Sequence, residues 1–190
     1  MPKKILQKES LVLRKISKNV ALHDIGSLKI NKIIEEMKVA LDSQIDGVAI
    51  AAPQIGYSFR IFVVSKRVNE ILNKSKKTDG QNTNEEYKTK KSLSNDHVFI
   101  NPVLKKLSKE YSLLEEGCLS VRYLYGKVKR SKQATIEAYD ENGKKFSRGA
   151  TGLLSQIFQH EVDHLEGILF IDKAKDIQDI PPEDLNQQNG

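Results

Sequence analysis

The stretch Gln159-His160-Glu161-Val162-Asp163-His164 decides the fold and the chemistry that we expect of this chain. It belongs to a helical pattern that runs from about residue 149 to residue 165. Because residues four apart lie on one face of a helix, His160 and His164 can direct two imidazole nitrogens at one metal ion. Glu161 can take a proton from a water molecule that the metal activates. The pattern predicts a metal-dependent hydrolase, although His-Glu-x-x-His also occurs by chance on helix surfaces.

A hydrolytic site of this kind needs a third protein ligand. A metzincin-type protease would have a histidine where Phe170 stands, so that class is excluded. A gluzincin-type metalloprotease would use a carboxylate further downstream, and Glu183 or Asp184 has the required spacing. The remaining candidate is Cys118, the only cysteine, because a thiolate is a strong ligand for zinc and ferrous iron. A lone cysteine can also be buried apolar filler.

Three motifs of this chain, in this order, resemble those of the peptide deformylases. They are Gly47-Val48-Ala49-Ile50-Ala51-Ala52-Pro53-Gln54, Glu116-Gly117-Cys118-Leu119-Ser120, and Gln159-His160-Glu161-Val162-Asp163-His164-Leu165. Ala49 stands where the family has a second glycine. The resemblance spans most of the chain, apart from residues 66–96 and about the last dozen residues.

The resemblance implies a fold, a reaction and a set of site residues. The fold is α+β, with short antiparallel strands around a central metal-binding helix. The reaction removes the formyl group from N-formylmethionine at the N-terminus of newly made proteins, as part of protein biosynthesis. Cys118, His160 and His164 would hold one divalent ion, which is Fe²⁺ in the cell, with Zn²⁺, Ni²⁺ or Co²⁺ as substitutes.

The same resemblance assigns roles around the metal. Glu161 would move the proton, and the Gln54 side chain and the Leu119 backbone N–H would stabilise the oxyanion. Arg130 would pair with Asp163. The residues that would bind the substrate are Gly47, Val48, Ala49, Ile50, Gly117, Tyr125, Leu153, Gln156 and Ile157.

The remaining sequence also favours an α+β arrangement. Ser27 precedes a helical pattern over residues 27–43. Strands are expected at residues 60–64, 98–100, 103–107, 111–115 and 134–139, and a hairpin turn at 140–143. We expect one catalytic domain over residues 1–190, with a polar loop insertion at about 66–96 and a frayed acidic tail from about residue 176.

Composition limits the partners and the compartment. The net charge of +6 and the absence of a nucleic-acid motif favour a solvated surface, with a weak contact to the ribosome as the alternative and no DNA binding. No apolar run is long enough for a membrane span, and no secretory signal is visible, so we expect a cytoplasmic protein.

A third interpretation is a deformylase-like binding protein with weak or no activity. Ala49 favours it, as do Arg122 and Lys129, which stand where many family members have proline. The presence of all three predicted ligands, together with Glu161 and Gln54, opposes it.

Overall fold

The computed structural model of the protein describes residues 1–68, Ile71 and residues 95–181. Two helices within this part of the chain are α1 (Leu28–Asp42) and α2 (Gly152–Leu165). The strands are β1 (Ala49–Ala51), β2 (Ile61–Val64), β3 (His97–Leu107), β4 (Tyr111–Gly117), β5 (Leu124–Ser131), β6 (Gln133–Tyr139), β7 (Lys145–Thr151) and β8 (Lys175–Asp179). Short 3₁₀ helices cover Leu11–Arg14, Leu22–Asp24, Ala52–Ile55 and Phe170–Asp172.

The strands form two antiparallel sheets. The first has the order β1-β2-β3-β6-β7, and the second has the order β4-β5-β8. Strand β1 is therefore an edge of the first sheet, and β4 is an edge of the second. The α+β fold predicted from the sequence is confirmed.

The two helices cover opposite faces of the five-stranded sheet. Successive side chains of a strand point to opposite faces, so Ile61 and Val63 of β2 pack with α1, whereas Phe62 packs with α2. The Phe62 and Phe99 rings stack with centroids 4.4 Å apart, and Phe158 of α2 meets Phe99 edge-on at 5.2 Å. This aromatic cluster fixes α2 against the sheet from the side opposite its histidines.

The amino-terminal segment holds the end of α2. The Ser17 backbone N–H donates to the Leu165 carbonyl at 2.8 Å. Gly167 has a φ of +73°, and a Cβ there would lie 2.8 Å from the backbone carbonyl of Arg14. Only glycine combines this left-handed backbone with so close an approach.

The first helix agrees with its prediction, because Ser27 is the N-cap and its hydroxyl accepts from the Ile30 N–H at 3.3 Å. The sequence predicted two strands, separated at Asn101-Pro102, but the structure has one continuous strand, β3. A bulge between Ile100 and Val103 accommodates the proline within it. Helix α2 begins at Gly152 rather than at residue 149, because residues 149–151 still pair with β6.

The carboxyl-terminal region differs from the expected frayed tail. Lys175–Asp179 form β8, which pairs with β5, although every one of these side chains is exposed. Residues 182–190, including Glu183 and Asp184, lie outside the described residues, as does most of the predicted insertion at 66–96.

Candidate metal centre

Helix α2 and the chain just after β4 bring three candidate metal ligands together. The ligand atoms of Cys118, His160 and His164 all lie within 4.8 Å of one another. The Cys118 Sγ atom is 3.2 Å from the His164 Nε2 atom. Tetrahedral zinc, with bonds of about 2.0–2.3 Å, holds its ligand atoms at comparable separations. The donor set of one sulfur and two imidazoles suits zinc or ferrous iron, so the residues present fit the ion that the sequence predicts.

The orientation of His160 is fixed by Glu116. The His160 Nδ1 atom lies 2.9 Å from Glu116 Oε2, which leaves Nε2 for the cation. Glu116 is also bound by Arg130, through Nε at 2.7 Å and Nη2 at 2.9 Å. Burial raises the pKa of Glu116, but the hydrogen bonds from Arg130 and His160 outweigh burial and lower it to about 2. Glu116 therefore stays ionised behind the histidine.

The same arginine reaches α2 itself. The Arg130 Nη1 atom donates to Asp163 Oδ2 at 2.6 Å, and Lys173 donates to Asp163 Oδ1 at 2.6 Å. This is the Arg130–Asp163 pairing that the sequence predicted. Arg130 lies on β5 and thus joins Glu116 of β4 to the helix that carries both histidines.

Glutamine 159 attaches α2 to the end of β5. Its Nε2 atom donates to the Ser131 carbonyl at 3.0 Å, and its Oε1 atom accepts from the Ser131 N–H at 3.0 Å. The Ser155 hydroxyl, one turn earlier on the helix, donates to the same carbonyl at 3.0 Å. These buried contacts fix the rotation of the helix and hence the direction of its histidines.

The titratable groups of the centre are strongly perturbed. Burial raises the pKa of Glu161 to about 7, and its Oε2 atom is buried without a hydrogen-bond partner among the described residues. Burial lowers the pKa of His160, but hydrogen bonds with Cys118 and Glu116 outweigh it and raise that pKa well above its usual value. Burial, with His160 nearby, lowers the pKa of His164. A buried carboxyl with a pKa near neutrality is suited to accepting and returning a proton.

The Gln54 side chain also reaches the Cys118 sulfur. Its Oε1 atom accepts from the Ala51 N–H at 2.8 Å, which turns its amide group toward the centre. The Nε2 atom then donates to Ser120 Oγ at 3.1 Å and lies 3.6 Å from Cys118 Sγ. The 3₁₀ helix Ala52–Ile55 provides this geometry directly after β1.

A cavity of about 310 Å³ opens beside these residues. Of the predicted site residues, the following line it: Gly47, Val48, Ala49, Gln54, Gly117, Cys118, Leu119, Tyr125, Leu153, Gln156, Ile157, His160 and Glu161. Ile50 does not line it and is buried in the core against α1. His164 is fully buried behind the cavity.

Two predicted substrate residues have a structural role as well. Gly117 pairs with Tyr125 across β4 and β5, and a Cβ on Gly117 would lie 2.7 Å from the tyrosine ring. Gln156 donates to the Glu115 carbonyl at 2.9 Å. It therefore contributes a polar group to a wall otherwise formed by Leu153 and Ile157.

Sequence reasoning missed Glu116 as the partner of His160. It also missed Asp46 and Arg122, which line the cavity and bind each other. The one available signal for Glu116 was its position two residues before the cysteine. In a strand, that spacing puts both side chains on one face.

These features define a class of protein: an α+β fold whose central helix supplies two histidines to a metal site completed by a cysteine. A model of the polypeptide deformylase family matches residues 2–179. The chain belongs to the polypeptide deformylase family, as its three motifs predicted.

Similar proteins support this assignment. The chain is 39% identical over 162 residues to the chloroplastic peptide deformylase 1A of Solanum lycopersicum, covering 85% of this chain and 56% of that protein. It is 37% identical over 172 residues to a peptide deformylase of Pseudothermotoga lettingae, covering 90% of this chain and 82% of that protein. Its structure resembles the class I type b peptide deformylase of Acinetobacter baumannii bound to Met-Ala-Ser, with a TM-score of 0.73, 27% identity, and coverage of 91% and 98%.

Within the described residues, neither helix has the length and apolar character needed to cross a membrane.

Proposed function

We propose that this chain is an active peptide deformylase, which hydrolyses the formyl amide of N-formylmethionyl peptides to formate and a free amine. The observation that carries the proposal is the convergence of Cys118, His160 and His164 beside the buried carboxylate of Glu161, at the floor of a cavity. A bound divalent ion would polarise the formyl oxygen and lower the pKa of the attacking water.

Glu161 moves the proton in this proposal. Its carboxylate takes a proton from water as the water oxygen adds to the formyl carbon. It then returns the proton to the nitrogen as the carbon–nitrogen bond breaks. Glu161 lines the cavity and is almost fully buried, so bulk water does not compete for the proton.

The formyl oxygen becomes negatively charged during this step, and donors on the cavity wall stabilise it. Gln54 supplies its amide N–H₂, which is already oriented by the Ala51 N–H. The Leu119 backbone N–H is the second donor, since Leu119 follows Cys118 and lines the same wall. Preorganised donors of this kind need no rearrangement during the reaction.

The peptide binds as an added strand. Strands β1 and β4 are edges of separate sheets; Ala49 and Gly117 of these edges line the cavity, as does Val48 directly before β1. An extended peptide between them gains backbone hydrogen bonds from both sides. The methionine side chain enters the region formed by Leu153, Ile157 and Gln156 of α2, and Gly47 and Tyr125 also line the cavity.

The proposal extends to the ion and the compartment. Ferrous iron is the ion in the cell, with zinc, nickel or cobalt able to replace it, because a thiolate with two imidazoles accepts each of them. Nascent formylmethionyl peptides are the substrate, so the protein works in the cytoplasm. A weak ribosome contact is supported only by the net charge of +6.

A deformylation assay tests the proposal. Protein loaded with iron without oxygen is given formyl-Met-Ala-Ser, and released formate is measured. The wild type should turn over, and Glu161→Ala should retain the ion while losing at least about 10²-fold in kcat. The matched control is Glu166→Gln, which removes a carboxylate from the end of the same helix, outside the cavity.

The same assay separates the alternatives. Loss of the ion in Cys118→Ala supports the proposed ligand set, whereas retention would favour a gluzincin-type site. A wild type that binds the peptide and releases no formate would make the chain a deformylase-like binding protein. Equal turnover by the wild type and Glu161→Ala would remove Glu161 from the mechanism.

A further inference from the structure

An ion pair bridges the rim of the cavity. Asp46 lies in the loop between α1 and β1, and Arg122 lies in the loop between β4 and β5. The Nη1 and Nη2 atoms of Arg122 donate to the two carboxylate oxygens of Asp46 at 2.5 and 3.0 Å. Both residues line the cavity, and the Asp46 side chain is 56% exposed, so the pair lies at the mouth rather than at the floor.

Hydrogen bonds from other parts of the chain hold both loops in place. Arg67 donates to the backbone carbonyls of Gln44 at 2.6 Å and Asp42 at 3.2 Å, which fixes the loop that carries Asp46. Gln7 accepts from the Arg122 N–H at 3.3 Å and donates to the Leu119 carbonyl at 3.0 Å. The ion pair is therefore preorganised, which reduces the entropy lost when it forms.

The pair connects two edges that no sheet hydrogen bond joins. Strand β1 begins three residues after Asp46, and β4 ends at Gly117, shortly before Arg122. At the floor of the cavity, the Gln54–Ser120 hydrogen bond links the same two parts of the structure. At the rim, Arg122 Nη2 also donates to Gln44 Oε1 at 3.2 Å. The two parts are thus connected at the floor by a neutral contact, and at the rim by the ion pair together with this second Arg122 contact.

We propose that the Asp46–Arg122 pair is a clasp that sets the separation of β1 and β4 and so positions the part of the peptide that follows the methionine. This inference rests on the proposed function. The formyl group and the methionine lie near the buried ligands, whereas the next residues pass the rim. Asp46 and Arg122 are therefore positioning residues, which act on the binding of extended peptides and leave the chemical step alone.

The experiment compares substrates of different length. Asp46→Asn, Arg122→Gln and the charge-exchanged double variant Asp46→Arg/Arg122→Asp are measured beside the wild type. Calorimetry gives the Kd of Met-Ala-Ser, and formate release gives kcat and KM for formyl-Met-Ala-Ser and for formyl-Met. Each single variant should raise the tripeptide Kd and KM roughly threefold to tenfold. Values for formyl-Met and kcat should stay the same, and the double variant should restore tripeptide binding.

The control is Asp172→Asn, which removes the carboxylate of another arginine pair, Arg14–Asp172, away from the cavity. It should leave tripeptide binding unchanged. Unchanged tripeptide binding in both single variants overturns the clasp, and so does an equal loss for formyl-Met and the tripeptide.

Failure of the clasp is distinguishable from failure of the proposed function. If the wild type releases no formate, the Kd values of Met-Ala-Ser for the wild type and the variants still test the clasp. If Arg122→Gln does not fold, Asp46→Asn is compared with the charge-conserving Asp46→Glu. Weaker tripeptide binding in Asp46→Asn, with wild-type binding in Asp46→Glu, supports the clasp. Equal tripeptide binding in the two variants overturns it.

Discussion

Arg130 and Glu116 form a buried two-point ion pair directly behind the His160 ring, with nitrogen–oxygen distances of 2.7 and 2.9 Å. Both side chains are at most 4% exposed. The pair ties the strand before Cys118 to the helix that carries His160 and His164. Glu116 contacts His160 and Arg130 contacts Asp163, so the position of the cysteine relative to both histidines depends on this charge pair.

Replacing Glu116 by glutamine should weaken metal binding. The variant keeps the shape of the side chain, but Arg130 loses one of its two carboxylate partners and His160 loses its charged acceptor, because the one amide oxygen of glutamine cannot serve every donor that the carboxylate served. We expect metal affinity to fall roughly 10–100-fold and stability to fall by about 3 kcal/mol. Chelator competition and thermal unfolding measure the two effects.

The control for that variant is Glu110→Gln, which removes an exposed partner of Lys132 in the segment just before β4. It should change neither quantity. Unaltered metal affinity in Glu116→Gln would show that His160 needs no carboxylate behind it.

Glu161 should make the metal-free protein less stable as pH rises. Burial raises its pKa from 4.5 in the unfolded chain to about 7, so its favourable contribution is complete below pH 4.5 and is lost as pH rises toward 7. Relative to Glu161→Gln, the wild type should lose on the order of 3 kcal/mol over this range. Urea denaturation of both proteins in a chelator, at several pH values, measures the difference. A gap that does not vary with pH would contradict the raised pKa.

Gln54→Ala should lower kcat while leaving the ion in place. The variant removes a preorganised donor from the cavity wall, and losing one such donor costs about 10²–10³-fold in rate. Ser120→Ala is the matched control, because it removes a hydrogen-bond partner of Gln54 and keeps the donor. Its kcat should fall by less than about tenfold. Equal losses in the two variants would assign Gln54 a structural role only.

Ala49→Gly should improve substrate binding. Ala49 stands where the family has glycine, and its φ is not positive, so a Cβ causes no backbone strain here. The remaining effect is its methyl group on the edge of β1, which lines the cavity and limits how closely a peptide can approach. We expect KM to fall by up to about fivefold with kcat unchanged, which corresponds to about 1 kcal/mol. Steady-state kinetics on formyl-Met-Ala-Ser decides, and an unchanged specificity constant would show that this methyl group has no effect.

The parts of the site that local geometry controls were predictable from the sequence. His160 and His164 follow from helical spacing alone, and Ser27 is the N-cap that its residue type indicates. The convergence of Cys118 with the two histidines depends on tertiary packing; thiolate chemistry made Cys118 a candidate, and the family motifs favoured it over Glu183 and Asp184.

Other features left no local signal. Strand β8 has an entirely exposed, charged and polar sequence, so only its pairing with β5 makes it a strand. Glu116 looks like its exposed neighbour Glu115, and its burial depends on Arg130 arriving from β5. The contact between Asp46 and Arg122 joins two loops far apart in the chain, and no pattern in either loop indicates the other.

The passage of residues 14–17 over the end of α2 also limits how the protein can be re-engineered. None of its first seventeen residues lines the cavity. Yet Gly167 is fitted to the backbone of Arg14, and Ser17 caps the carbonyl of Leu165, one residue beyond a proposed ligand. We expect a version that starts after Ser17 to lose the contacts that hold the end of this helix, and its metal affinity, compared with that of the whole chain, would measure the consequence.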